Sequence, residues 1–196
     1  MDKTLSFYNS NASSFIERTV AADVGTLRER FIKYIPPGGY VLDFGCGSGR
    51  DTKYFLMEGF RVDATDGSEE LCTAATEYSS VKVQCMDFFE LDAEEQYDGI
   101  WACASVLHVE KDRLPELFRI MSDALKPGGV MYLSFKYGDF SGTREGRLFT
   151  DLTEMSFREL LTGFNDLIIE EEWISEDSRP DRMVRWLNEI VRKASG

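Results

Sequence analysis

The run Tyr40-Val-Leu-Asp-Phe-Gly-Cys-Gly-Ser-Gly-Arg50 puts a short apolar strand immediately before a glycine-rich turn, with an acid close ahead of the first glycine. A strand that feeds such a turn and then a helix is the opening unit of a parallel, helix-covered sheet. Gly45, Gly47 and Gly49 permit positive φ and a close approach of backbone to ligand, and their amides are expected to face that ligand. The spacing G-x-G-x-G sets Arg50 where a dinucleotide turn keeps its third small residue, and no Gly-Lys-Ser/Thr follows. A diphosphate-binding turn and a P-loop both fit poorly. Taken alone, the turn could equally be a tight strand-to-helix connection with no ligand.

Downstream of residue 40, short β-branched and aromatic runs alternate with helix-patterned segments, the pattern of a parallel sheet wrapped by helices. Strands are predicted over 40–44, 60–65, 81–86, 99–105, 130–135 and 167–174, with helices over 51–58, 68–78, 112–125 and 154–162. Gly59 ends the first of these helices, Ser68 caps the second, and Pro115 sits in the first turn of the third. Lys126-Pro-Gly-Gly129 reads as a turn into strand five, and 136–150 as irregular. Residues 182–192 suit either a short helix or a reversed strand after a turn at 177–181. Residues 1–35 carry Phe15, Ile16, Val20, Val24, Leu27, Phe31 and Ile32 at helical spacing, an N-terminal helical cap.

In such a sheet, ligands gather beyond the carboxyl ends of the strands, where the strand order reverses. Asp43, Asp66 and Asp87 all fall at predicted strand ends, and Ala104 to His108 follow strand four. Asp66 lies about 20 residues beyond the turn, the distance at which an acid accepts from ribose hydroxyls. Asp87 beside Phe88 suits an adenine ring, acid to exocyclic amine and aromatic to ring face. Each acid alone could be a cap or a solvated loop residue. Three together point to one site.

With these residues assembled, the chain resembles the class I S-adenosylmethionine-dependent methyltransferases from about Tyr40 to Phe135. Val41-Leu-Asp-Phe-Gly-Cys-Gly-Ser-Gly49 is similar to their first motif, Asp66-Gly67-Ser68 to the acidic strand-two motif, Asp87-Phe88 to the adenine motif, and Leu125-Lys-Pro-Gly-Gly129 to their turn before strand five. Trp101 to His108 resembles the small-molecule, tellurite-resistance-like branch. The resemblance implies an α/β, Rossmann-like, doubly wound seven-stranded sheet, mostly parallel with an antiparallel last strand and helices on both faces. It tips 182–192 towards that last strand. It also implies S-adenosylmethionine as cofactor and S-adenosylhomocysteine as product. Asp43 and the turn Gly45-Cys46-Gly47-Ser48-Gly49 would hold the methionine portion, Asp66 with Gly67 and Ser68 the ribose, and Asp87 with Phe88 the adenine, with Ala104 nearby. Tyr8 to Thr19 resembles the lid such enzymes fold over the cofactor, which makes Tyr8 and Thr19 candidates for its carboxylate or sulfonium surroundings.

Methyl transfer from a sulfonium needs alignment and a dry pocket more than a covalent intermediate. A hydroxyl or amine acceptor benefits from a base, and His108 is the candidate, with a hydrogen-bonded structural role as its alternative. Arg144 and Arg147 lie where the family places acceptor loops, and would meet an anionic acceptor or remain solvated.

The remaining bounds come from composition. A length of 196 residues suits one domain, divided by this reading into a lid (1–35), a cofactor-binding core (36–136) and an acceptor-side segment with C-terminal strands (137–196). A net charge of −13, from 35 acids and 22 bases, disfavours nucleic acid as partner and favours a small molecule. Arg179, Arg182, Arg185, Arg192 and Lys193 form either a local basic patch or solvated partners of nearby acids. Cys46, Cys72, Cys85 and Cys103 include no C-x-x-C pair and read as reduced, packed thiols, so a metal site is not expected. No run approaches the roughly 18 apolar residues of a membrane helix, and the N-terminus lacks a secretory pattern, so a cytoplasmic location is expected. Two rivals keep the fold: an NAD-dependent oxidoreductase, which Arg50 argues against, and a noncatalytic S-adenosylmethionine-binding module.

Overall fold

The computed structural model describes residues 3–179 and 183–195. Its helices are α1 (Lys3–Thr19), α2 (Gly25–Ile32), α3 (Arg50–Met57), α4 (Glu69–Ser79), α5 (Leu114–Ala124) and α6 (Glu154–Leu161). Its strands are β1 (Tyr40–Phe44), β2 (Arg61–Asp66), β3 (Gln84–Cys85), β4 (Tyr97–Ala102), β5 (Leu125–Lys136), β6 (Ser141–Arg144), β7 (Arg147–Thr150), β8 (Leu167–Glu176) and β9 (Arg185–Lys193). Seven strands form one sheet in the order β3-β2-β1-β4-β5-β9-β8, and β9 runs antiparallel to both neighbours. The doubly wound sheet with a reversed last strand is therefore present. Of the segment 182–192, Arg182 lies outside the described residues, Met183 and Val184 precede the strand, and 185–192 belong to β9.

Side-chain alternation divides the core into two faces. Leu42, Phe44, Ile100, Ala102, Met131, Leu133, Leu187 and Val191 meet Leu117, Phe118 and Met121 of α5 and Phe157 of α6. Their sequence neighbours Val41, Trp101, Val130, Tyr132 and Ile190 meet Phe31 of α2 and Phe55 of α3 on the other side. Trp101 and Tyr132 stack across β4 and β5 at 4.1 Å, and Trp101 donates to Asp51 at 2.9 Å.

Three expectations change. The strand expected over 81–86 shrinks to Gln84–Cys85, because the amides of Val81 and Val83 are taken by the hydroxyls of Ser79 and Thr76 instead of a ladder. The 126–129 turn is absorbed into β5 as an irregularity, with Gly128 at φ 81° and a register shift opposite Tyr97 and Gly99. The stretch 136–150 is not irregular: β6 and β7 pair as a hairpin across Glu145 (φ 50°) and Gly146 (φ 80°), the double positive φ of a two-residue type I′ turn.

Candidate active site

Strand order reverses between β1 and β4, and a cavity of about 1020 Å³ opens beyond their carboxyl ends. That volume lies at the upper end for ligand sites and leaves room for two ligands side by side. Asp43, Gly45, Cys46, Gly47 and Ser48 line one end, with Asp66, Gly67, Asp87, Phe88 and Ala104 beside them. Tyr8, Thr19 and His108 close over them from the lid and from the turn after β4.

The glycine turn takes the positive φ values expected, 84°, 55° and 75° at Gly45, Gly47 and Gly49. Four of its five amides, however, are spent within the protein. Gly45 and Cys46 donate to the Thr65 carbonyl at 2.9 Å, Gly47 to an Asp66 carboxyl oxygen at 2.9 Å, and Gly49 to the Cys46 carbonyl at 3.0 Å. The end of β2 lies so close that it satisfies the first three of these donors itself, so the Gly45, Cys46 and Gly47 amides do not form an anion cradle of the diphosphate kind. Gly49 and Ser68, both expected at the ligand, do not line the cavity and have packing and capping contacts. A methyl on Gly49 would press against Ala75 at 3.0 Å, so this glycine lets α3 pack on α4. Ser68 caps α4 by accepting from Leu71 and donates to Asn9 of the lid at 2.6 Å.

The three acids differ. Asp43 is buried, accepts from Thr52 at 2.6 Å, and is pushed above the usual carboxylate range by burial and then by the neighbouring Asp51. Burial also raises Asp66, against the opposing effect of the Ser68 and Gly47 amides it accepts. Asp87 caps the short turn 88–90, accepting from Phe89 at 2.9 Å. Two acids held above their ordinary range by burial suit a ligand that brings positive charge, as a sulfonium with an amino group does. Phe88 packs on Phe44 at 4.8 Å and edges the same space. The donor set and volume thus fit an adenosyl sulfonium. Cys103 also lines the cavity, but burial pushes its thiol up to about 12, against a nucleophilic role.

The lid is seated through several contacts. Phe15 lies over Gly47, where a methyl would come within 3.1 Å, and Leu5 lies over Gly67. Thr19 spends its hydroxyl proton on the Phe15 carbonyl, while its own carbonyl accepts from Arg50 at 3.0 Å. Arg50 also reaches the Ala22 carbonyl and grips Asp51 through two nitrogens. Sequence reasoning used Arg50 only to reject a dinucleotide; the signal missed was an arginine placed to meet the C-terminal carbonyls of a preceding helix.

At the far end, His108 Nε2 is 2.8 Å from the Tyr8 hydroxyl and its Nδ1 is 2.6 Å from the Leu148 carbonyl. Lys136, Arg144, Arg147 and Phe149, from the end of β5 and the β6–β7 hairpin, complete this end. Arg182 lies outside the described residues; of the other basic C-terminal residues, Arg192 pairs with Glu170, Lys193 donates to the Leu125 carbonyl, Arg179 pairs with Asp177 and Arg185 lies over the Tyr137 ring.

This sheet topology, with its glycine turn, strand-end acids and helical lid, is the architecture of the class I S-adenosylmethionine-dependent methyltransferases, whose cofactor is S-adenosylmethionine. A family described as a methyltransferase domain matches residues 41–129. Alpha N-terminal protein methyltransferase 1 of Caenorhabditis elegans is 35% identical over 137 residues, 65% of this chain and 57% of that protein. The probable S-adenosyl-L-methionine-dependent methyltransferase TehB of Haemophilus influenzae is 27% identical over 94 residues, 45% of this chain and 33% of that protein. The chain therefore spans less than two thirds of either relative. Among solved structures, the 1,6-didemethyltoxoflavin-N1-methyltransferase of Burkholderia thailandensis, with bound 1,6-didemethyltoxoflavin and S-adenosylhomocysteine, superposes with a TM-score of 0.78 at 25% identity, covering 97% of this chain and 87% of that one.

Proposed function

We propose that the protein transfers a methyl group from S-adenosylmethionine to a small-molecule acceptor by direct in-line displacement, as one domain made of a lid, a cofactor-binding core and an acceptor-side segment. The observation that carries this reading is the continuity of one cavity from the Asp43, Asp66 and Asp87 end to the Tyr8 and His108 end, beneath a seated lid. When bound, the cofactor supplies a methyl group on a positively charged sulfur. Asp43 offsets positive charge, Asp66 accepts from ribose hydroxyls with lone pairs left beyond its two amide bonds, and Asp87 with Phe88 frames the adenine. Gly67 and Cys46 shape the wall, and Tyr8 belongs with the acceptor more than with the cofactor carboxylate.

His108 is the residue that can move a proton. A carbonyl only accepts, so Nδ1 carries the hydrogen towards Leu148, and Nε2 is left to accept from Tyr8. A proton leaving an acceptor hydroxyl or amine can pass to the Tyr8 oxygen while the Tyr8 proton passes to Nε2. Burial pushes the Tyr8 phenol up, which keeps it neutral and able to donate, and Arg147 beside it pulls the other way. Ala104, at φ 52°, is held by a 2.8 Å bond from its amide to Ser134, a strained residue at the wall between the two ligands.

The spent amides of the glycine turn argue against the NAD-dependent reading. A noncatalytic binding module leaves the His108 to Tyr8 arrangement without a use. The nematode relative's name raises a protein amine as acceptor, but a lid seated on Gly47, Gly67 and Leu148 favours a small molecule. Titration calorimetry with S-adenosylhomocysteine tests the cofactor site, and methyl incorporation from labelled S-adenosylmethionine across small-molecule and peptide panels tests the acceptor. Binding with incorporation into small molecules is expected; incorporation into peptides alone, or none at all, overturns the proposal.

A further inference from the structure

The acceptor end of the cavity breaks two local rules at once. Arg144 and Arg147 are direct partners across the β6–β7 hairpin, where like charges facing each other are destabilising. The turn between them puts Glu145, a non-glycine residue, at positive φ. Lys136 joins the pair from the end of β5, and all three cations converge on one buried ring. From the Phe149 centroid, Lys136 Nζ is 3.9 Å away, the Arg147 guanidinium carbon 5.2 Å and the Arg144 guanidinium carbon 5.3 Å.

The protein's own acids only partly balance this cluster. Asp151 pairs with Arg144, and the acid that pairs with Arg147 is Glu145, whose side chain is 81% exposed while that of Arg147 is 17% exposed. A pair with one partner so exposed contributes little. Arg147 Nε is buried and makes no hydrogen bond among the described residues. A chain carrying a net charge of −13 thus gathers three cations at one end of its cavity, against the ring that touches His108 at 4.8 Å.

We infer that Lys136, Arg144 and Arg147 form an oxyanion-binding subsite, so that the acceptor is a small molecule bearing a carboxylate or phosphate group. This deepens the proposed function and rests on it. The oxyanion relieves the mutual repulsion of the three cations, supplies Arg147 Nε with an acceptor, and anchors the rest of the molecule beside His108 and Tyr8. The same field repels an ammonium, which excludes a cationic peptide N-terminus from this position.

The test is calorimetric, with benzoate, phenyl phosphate, benzamide and benzylamine as probes, each titrated with and without saturating S-adenosylhomocysteine. At least one of the two anions should bind ~10-fold or more tightly than benzamide, more weakly as salt rises, and benzylamine should bind least. Benzoate against phenyl phosphate decides which oxyanion is preferred. The double variant Lys136→Gln with Arg147→Gln should lower the anion preference to ~3-fold or less, with the S-adenosylhomocysteine dissociation constant unchanged. The charge-keeping double variant Lys136→Arg with Arg147→Lys should retain the preference. Equal binding of anions and amide, no binding by either anion, or tightest binding by benzylamine overturns the subsite. If S-adenosylhomocysteine fails to bind while the anion preference persists, the cofactor reading fails and the subsite stands.

Discussion

The Tyr8 hydroxyl and His108 Nε2 meet at 2.8 Å across 100 residues of sequence, tying the N-terminal lid to the turn after β4. With Nδ1 committed to the Leu148 carbonyl, the imidazole is fixed in one tautomer and its lone pair is held under Tyr8. His108→Ala should lower turnover of a hydroxyl or amine acceptor by about 100-fold, the low end for a lost general base, while S-adenosylhomocysteine affinity stays within about twofold. Tyr8→Phe removes the relay and the hydrogen bond to His108, with a stability loss of about 1 kcal/mol. Steady-state kinetics beside calorimetry checks both. Parallel loss of turnover and cofactor affinity in His108→Ala would show the ring to be structural.

Asp66 has two duties. It accepts from the Gly47 and Ser68 amides, shaping the glycine turn, and it presents remaining lone pairs to the cavity. Asp66→Asn turns one acceptor into a donor facing amides, so S-adenosylhomocysteine binding should weaken by about 1.5–3 kcal/mol, the scale for a hydrogen bond to a charged group. Calorimetry on the folded variant measures it. An unchanged dissociation constant would remove Asp66 from the site.

Much of this was legible before the structure because it depends on local pattern. The stretches 99–102 of β4 and 130–133 of β5 announce their two-sided burial by being apolar at every position, and Ser68 and Gly59 mark helix ends through chemistry that acts within a few residues. What was not legible depends on distant partners. The Gly45 and Cys46 amides turn away from the cavity because the Thr65 carbonyl lies beside them, which no reading of the turn alone contains. The hairpin at 141–150 was missed for a different reason: Glu145-Gly146 occupies a turn that Asn-Gly would have advertised. With the hairpin went the sight of Arg144 and Arg147 as facing partners.

Arg50 links lid and body through the Thr19 and Ala22 carbonyls and the Asp51 carboxylate. Arg50→Ala leaves Asp51 with Arg28 at 3.5 Å and the Trp101 indole, so the loss should fall near the low end for a broken buried pair, about 3 kcal/mol. Hydrogen exchange should accelerate across 3–19 more than across β4 and β5. Uniform acceleration over the whole chain would show that Arg50 supports the core and not the lid.

Glu189 is fully buried on β9 and faces Glu172 of β8, with no N–H or hydroxyl donor to either of its carboxyl oxygens among the described residues. Burial, followed by Glu172 opposite it on β8, pushes its carboxyl up to about 9, with Glu154 adding to the rise and Arg158 opposing it. In the unfolded chain the same group titrates near ~4.3. Between these values the folded state holds a proton that the unfolded state has lost, so the unfolding free energy falls as pH rises. The slope contributed by this one group approaches, at most, about 1.4 kcal/mol per pH unit. Glu189→Gln keeps the shape of the protonated acid and cannot ionise, so it should raise the melting temperature at pH 8 and flatten its decline between pH 5 and 9. Thermal melts of both proteins over that range decide the matter: parallel curves would mean that Glu189 ionises in the folded protein as easily as in the unfolded chain.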